Sequence, residues 1–395
     1  MLNATSMLGV LEKLQSIDIT VQQNRCAVVR NRNASCMKCA EACTSGAISY
    51  ENGELVISPD LCIGCGTCAT ACPTCALEAH HPNDREMYEA CVSAMQNSDG
   101  VVTIACENLL QAAEGYYDPD KVVGVKCLGR VEESLIVLLT RARAKRIVLV
   151  QGECTGCKLN PGSVIAQQVC DTANSLLRAW GQNDIATIST KLPGCTRKRN
   201  DKTYDAKRRG FLTEMFETSK SVARTTVDYA IEDTLGGSDE ASPEPAIQKV
   251  QDDGTLPHFL PHRRGRLIKA LASFGEPDDI LVETRLWGHV LIDPDLCTSC
   301  QMCAVFCPTE AIKKFEDKDG TFGIDHYPSR CVKCRCCTDI CPTSALTLSD
   351  EVFAKDLADG SYERYEMKPR DVALGPHQMM GSIKKLIDDE FIYER

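Results

Sequence analysis

Between residues 100 and 195, short apolar runs rich in Val and Ile recur, and each runs into cysteine. They read GVVTIACEN at 100–108, KVVGVKCLGR at 121–130, RIVLVQGECTGC at 146–157 and DIATISTKLPGC at 184–195. Such runs suit parallel strands buried on both faces. Stretches of helical periodicity lie among them. Val131, Leu135, Leu138, Leu139 and Ala142 share one helical face, and REMYEACVSAMQ at 85–96 and SVIAQQVCDTANSLLRAW at 163–180 are two further helical segments. Alternating strand and helix predicts an open α/β sheet, and in such sheets sites form at the carboxyl ends of the strands. The topology alone therefore gathers Cys106, Cys127, Cys154 and Cys157 at one edge, with Cys195 nearby. Four convergent thiolates suit zinc or an iron–sulfur cluster. Cys91 and Cys170 fall inside helical segments, where a buried free cysteine acts as a small hydrophobe.

Either side of this region, one eight-residue phrase is written four times: CTSGAISY at 43–50, CPTCALEA at 72–79, CPTEAIKK at 307–314 and CPTSALTL at 341–348. Three of the phrases end a longer run. CIGCGTCATACP carries Cys62, Cys65, Cys68 and Cys72; CTSCQMCAVFCP carries Cys297, Cys300, Cys303 and Cys307; CVKCRCCTDICP carries Cys331, Cys334, Cys337 and Cys341. All are C-x2-C-x2-C-x3-C-P.

Composition decides how these cysteines are used. There are 25 Cys in 395 residues, and disulfides, structural metal and redox clusters all compete for them. The start, MLNATSMLGVLEKLQSIDIT, has no basic segment and contains Glu12 and Asp18, so it makes a poor secretory signal. The longest apolar candidate, SLIVLL at 134–139, is far short of the ~20 residues that span a bilayer. The expectation is a cytoplasmic protein without a membrane span, whose reduced thiols bind metal. A net charge of −11 argues against a general nucleic-acid binder.

The three complete runs resemble those of bacterial two-cluster ferredoxins, over about residues 20–82 and 288–350. The resemblance implies two ferredoxin-like 2[4Fe–4S] modules that exchange the fourth ligand between runs. It assigns Cys297, Cys300, Cys303 and Cys341 to one C-terminal cluster, and Cys331, Cys334, Cys337 and Cys307 to the other. In the N-terminal module it assigns Cys62, Cys65, Cys68 and Cys43 to one cluster. The matching site takes Cys36, Cys39, Cys72 and Cys26, but its first gap is nine residues instead of two, and Thr44 replaces the proline. A widened loop still closes, because closure entropy grows slowly with length. The alternatives are a three-cysteine site or Cys75 in place of Cys26. Cys75 and Cys336 otherwise read as small residues packed beside the clusters.

The central region resembles the delta subunit of methyl-viologen-reducing hydrogenase, on VKCLGRVEESLIVLL followed by a strand and a GECTGC turn, over roughly 98–195. That resemblance implies a [2Fe–2S] cluster and electron transfer between a hydrogenase or dehydrogenase and a heterodisulfide-reductase-type partner. The choice between Cys106 and Cys195 stays open, as does the cluster type.

Seven Lys or Arg lie between 197 and 209, eight acidic residues lie within 228–253, and LPHRRGRLIKALASFG at 260–275 reads as an amphipathic helix. The composition around GGSDEASPEP is that of a linker, and SIKKLIDDEFI near the C-terminus is a further helical candidate. No G-x-G-x-x-G follows a strand, no Walker loop occurs, and none of the seven His forms a metal-binding or triad pair.

The expected fold is a multidomain α+β and α/β chain. Residues 20–82 and 288–350 are the ferredoxin modules, 83–200 a flavodoxin-like open α/β sheet, 201–287 a basic helix and acidic linker, and 351–395 a tail. The expected function is single-electron relay between catalytic subunits of an anaerobic oxidoreductase complex and their redox partners. The alternatives are a reductase whose central cluster meets substrate, and a scaffold with a structural zinc site.

Overall fold

The computed structural model describes residues 18–198 and 255–368. Most of the basic stretch after Arg197, the acidic stretch at 228–253 and the helical candidate near the C-terminus lie outside the described residues.

The first cysteine-rich segment folds around two antiparallel pairs. Strand β1 (Ile19–Val21) will pair with the strand that closes the module, and a hairpin lies between them. β2 (Ile48–Glu51) and β3 (Glu54–Ile57) form that hairpin, turning at Asn52 and Gly53. Both turn residues have positive φ, 52° and 82°, which an Asn-Gly pair adopts readily. β4 (Leu77–Ala79) returns to β1, with Ile19 opposite Ala79. Ile19, Leu55, Ile57 and Leu77 point into the shared core.

Helix α1 (Asp84–Gln96) starts on a capping box formed by Asn83 and Glu86 and leads into the central region. β5 (Val101–Cys106), β6 (Val123–Val125), β7 (Arg146–Val150) and β8 (Ala186–Ser189) form one all-parallel sheet in the order β6-β5-β7-β8. α2 (Glu133–Arg141) and α3 (Pro161–Ala179) are the crossover helices, and their apolar faces bury Ile136, Leu139, Leu176 and Leu177 with Ile104, Ile147 and Leu149 of the sheet. All strand carboxyl ends therefore meet one edge.

α4 (His262–Ala272) packs on α2, and its Leu267, Ala270 and Leu271 join the core of the central sheet. β9 (Leu281–Glu283) follows. The second cysteine-rich segment then repeats the plan of the first. β10 (His289–Ile292) opens it, β11 (Ile312–Glu316) and β12 (Phe322–His326) form its hairpin, and β13 (Leu346–Ser349) returns to β10.

Residues that composition reads as linker and tail are built into this fold. β14 (Glu351–Phe353) pairs with β9, and β15 (Glu363–Met367) adds a third strand to the β11–β12 hairpin. Val282, Leu286, Trp287, Val352 and Leu357 enter the same core as the central sheet. Strands of three residues with one buried side chain carry too short an alternation to register as a pattern.

Charge ties the parts together. Asp84, in the first turn of α1, accepts from Arg130 at 2.8 Å and from Arg263 at 3.0 Å, and Arg266 reaches its other oxygen. Burial alone would push this carboxyl up, but the three arginines hold it well below the usual carboxylate range. Arg285 forms a two-pronged bridge to Glu133 of α2. Among the described residues no helix is long and apolar enough to cross a membrane.

Candidate functional site

Each repeated phrase builds the same local structure. The third residue after its first cysteine has positive φ in all four: Gly46 at 67°, Cys75 at 51°, Glu310 at 55° and Ser344 at 55°. The second residue is always a hydroxyl whose oxygen lies near the cysteine sulfur. Ser45 is 3.4 Å from Cys43, Thr74 3.5 Å from Cys72, Thr309 3.9 Å from Cys307 and Thr343 3.8 Å from Cys341. The turn also aims backbone donors at sulfur, as Ala76 N–H donates to Cys72 and Ala345 N–H to Cys341, both at 3.3 Å. The hydroxyl beside each sulfur is a feature that the spacing of cysteines does not reveal, although it recurs in the phrase.

The loops before the phrases agree as well. The second and fourth residues after the first cysteine take positive φ: Gly64 and Gly66, Ser299 and Gln301, Lys333 and Arg335. Four of these six carry side chains, at a cost of roughly 1–2 kcal/mol each. Such alternation curls a loop so that its N–H groups face inward, a concavity suited to an anionic guest. In the first run the widened gap holds a one-turn helix, Ala27–Arg30, which begins directly after Cys26 and brings the chain back to Cys36.

The thiols gather in groups that cross between runs. Burial pushes the Cys39 thiol up, and the neighbouring thiols of Cys72, Cys26, Cys68 and Cys36 push it further. Cys26 rises to about 12 through burial, with Cys72 and Cys36 beside it. Cys68 is raised by burial and then by Cys65, Cys43 and Cys62. Cys43 and Cys72 therefore each join the other run's group. In the second module, burial raises Cys337, with Cys331, Cys334 and Cys307 as its nearest thiols. Cys303 is raised to about 12 by burial, then by Cys300 and Cys297. Cys341 packs on one core with thiols of both runs, Cys297, Cys303, Cys307, Cys331 and Cys337.

Cys75 is fully buried and faces Arg263 and Arg264 as well as Cys72. Its place is set by the positive-φ turn common to all four phrases. Cys336 donates toward Phe306 O and lies between Cys36 and Cys307. Cys91 and Cys170 sit in the central core.

In the central region Cys106, Cys127, Cys154 and Cys157 line one cavity at the carboxyl edge of the sheet. Cys106 ends β5, and its sulfur accepts from Gly152 N–H at 3.2 Å. Cys154 is raised by burial and by Cys106 and Cys157. Cys127 is pushed up to about 11, first by burial and then by Cys65 and Cys154. Cys195 lies elsewhere, in a turn (Gly194–Thr196) that hydrogen-bonds to the segment at Asp118. The expectation that it sits beside the other four fails because the chain runs six residues past β8 and crosses to that segment.

The groups are contiguous. Cys127 neighbours Cys65, Cys68 neighbours Cys72, Cys36 neighbours Cys336 and through it Cys307, and Cys303 neighbours Cys307. Two glycines permit the first approach. A side chain at Gly162 would stand 2.1 Å from Cys127 Sγ, and one at Gly129 would stand 2.6 Å from Thr67 Oγ1. Arg30 and Lys38 bridge the two cysteine-rich modules, with Lys38 Nζ donating to Lys333 O at 3.2 Å.

The donor sets fit multi-iron clusters. A buried thiol ionises only beside cationic charge, which a metal centre held by the group would supply.

Comparison with known proteins bears this out for part of the chain. The 4Fe-4S dicluster domain family matches residues 296–345, and the 4Fe-4S binding domain family matches residues 55–78. The chain carries two ferredoxin-type 4Fe-4S domains. An uncharacterized ferredoxin of Methanocaldococcus jannaschii is 49% identical over 35 residues, 9% of this chain and 21% of that protein. Electron transport protein HydN of Escherichia coli is 48% identical over 40 residues, 10% of this chain and 23% of HydN. The matched stretches thus span under a quarter of these relatives.

Proposed function

We propose that the protein is an iron–sulfur electron-transport subunit with five cluster sites in single file. Cys106, Cys127, Cys154 and Cys157 would form the first. Cys43, Cys62, Cys65 and Cys68 come next, then Cys26, Cys36, Cys39 and Cys72. Cys307, Cys331, Cys334 and Cys337 follow, and Cys297, Cys300, Cys303 and Cys341 end the line. The observation that carries this reading is the unbroken succession of neighbouring thiols from Cys127 to Cys303. Clusters held there would exchange single electrons, at potentials tuned by hydrogen bonds to sulfur, burial and nearby charge.

The four ferredoxin-type sites would hold [4Fe–4S] clusters, and the central site a [2Fe–2S] cluster. The parallel order β6-β5-β7-β8 supports a flavodoxin-like, hydrogenase-delta-like central domain. On that basis the partners are catalytic subunits of a cytoplasmic anaerobic oxidoreductase of hydrogenase, formate dehydrogenase or heterodisulfide-reductase type. The similarity to electron transport protein HydN supports electron transport. Four cubanes and one two-iron cluster amount to about eighteen Fe per chain. Iron analysis of anaerobically reconstituted protein should approach that figure with little zinc, and fewer than about twelve Fe would overturn the four-cubane reading.

A second reading has its own support. Cys106, Cys154 and Cys157 are half-buried in a surface cavity, where a substrate such as a disulfide has access. Turnover of a disulfide by the isolated, reduced chain would favour a reductase; its absence leaves the relay.

A further inference from the structure

A cavity of about 600 Å³ opens between the two cysteine-rich modules, the first turns of α3 and the start of α4. Five cations line it: Lys38, Arg264, Arg285, Lys333 and Arg335. Only two acids share the wall, Glu41 and Asp350, and Asp350 is held by Lys333. Arg285 is spent on Glu133. Arg264 is different. It is 8% exposed, its Nε has no hydrogen-bond partner among the described residues, and its guanidinium lies 5.6 Å from the centre of the Trp287 ring, with the Cys75 thiol beside it. A buried guanidinium N–H left without an acceptor is costly. The opposite wall is apolar. Val164 and Ile165 of α3 line it with Pro161, and Val164 is 57% exposed.

We propose that this cavity binds a small organic anion, with a phosphate or carboxylate head at Arg264 and an apolar body on Val164 and Ile165. The volume is that of an ordinary small-molecule site. A guanidinium suits either head group, because its fork of donors matches two oxygens of each. The ligand would complete Arg264 and offset the excess positive charge. The rival role for these cations is to balance charge at the neighbouring thiol groups, since Lys38 lies between Cys36 and Cys39 and Lys333 between Cys331 and Cys334. That role requires no ligand.

Calorimetric titration of the reconstituted full chain with octyl phosphate, octanoate and octanol separates the two. The proposal expects one-to-one binding of at least one of the anions and none of octanol, and the stronger anion names the head group. Arg264→Gln should weaken binding by roughly tenfold or more, as for loss of a charge-assisted hydrogen bond. Should that variant fold poorly, Gln168→Glu places a negative charge on the exposed cavity face of α3. It should weaken anion binding while leaving thermal unfolding and cluster absorption unchanged. No binding of either anion at millimolar concentration, equal binding of octanol, or anion binding indifferent to the substitutions would overturn the proposal.

Discussion

A hydroxyl beside each phrase-opening cysteine is the smallest feature common to the four repeats. Where such a sulfur is a thiolate ligand it can only accept, so the Ser or Thr donates. Reduction adds negative charge, which that donation stabilises. Thr74→Val should therefore lower the potential of the site that includes Cys72, by roughly 40 mV if the bond is worth about 1 kcal/mol. Protein-film voltammetry would show it, and an unchanged or raised potential would contradict it. Cys26 and Cys75 make a sharper pair. Cys26 stands among Cys36, Cys39 and Cys72, whereas Cys75 faces two arginines. Cys26→Ala should cost one [4Fe–4S] cluster or reduce it to a three-iron form in electron paramagnetic resonance. Cys75→Ala should keep the full iron count. The opposite pattern would make Cys75 the ligand. Sequence leaves that choice open because spacing measures contour length, and both residues are within reach along the chain.

At the scale of elements, long periodic segments were legible and short ones were not. The helices at 85–96 and 163–180 appear within two residues of expectation, and the four parallel strands are present, but β7 and β8 stop at Val150 and Ser189, well short of the cysteines they were expected to end in. The strands β9, β14 and β15 were missed because their identity comes from partners distant in the chain. Cys195 was misplaced for a related reason, since strand direction fixes an edge but not the path of the loop beyond it. Gly162 shows how tightly two elements meet. Gly162→Ala would drive a methyl into Cys127, so the central site should lose its iron or separate from Cys65, while the other four sites persist. Iron analysis and near-ultraviolet dichroism of the variant would report it; a variant with full iron content would show that the backbone yields at little cost. His326 bridges β12 to its neighbours as a neutral ring, placing Nδ1 3.0 Å from Ala311 O and taking the Val290 N–H on Nε2. Burial pulls it down to about 4. A group depressed in the folded state contributes fully above its unfolded value of about 6.5, and the contribution declines as pH falls toward about 4. Between pH 7 and 5 the loss should be about 2 kcal/mol. Thermal unfolding of the native chain should show this decline and His326→Gln should not. Equal pH dependence of the two would exclude His326 as its source.

For the whole molecule, the repeated runs predict an exchange of fourth cysteines but give no order for the sites. Order depends on how modules dock, and docking rests on contacts far apart in sequence: Arg130 and Arg263 on Asp84, Arg285 on Glu133, Ser35 on Asp339. Ser35 on Asp339 joins the two cysteine-rich modules, and Arg285 on Glu133 joins the segment before the C-terminal module to helix α2 of the central domain. The central claim is that one line of five thiol groups holds iron throughout. Anomalous diffraction at the iron edge from anaerobically grown crystals tests it directly. The account predicts five iron peaks in single file, beginning at Cys127 and Cys154 and ending at Cys297 and Cys300, with Cys43, Cys72, Cys307 and Cys341 each reaching across to the other run's cluster. A zinc-edge signal or no peak at the central cavity, or clusters held by the four cysteines of a single run, would contradict it.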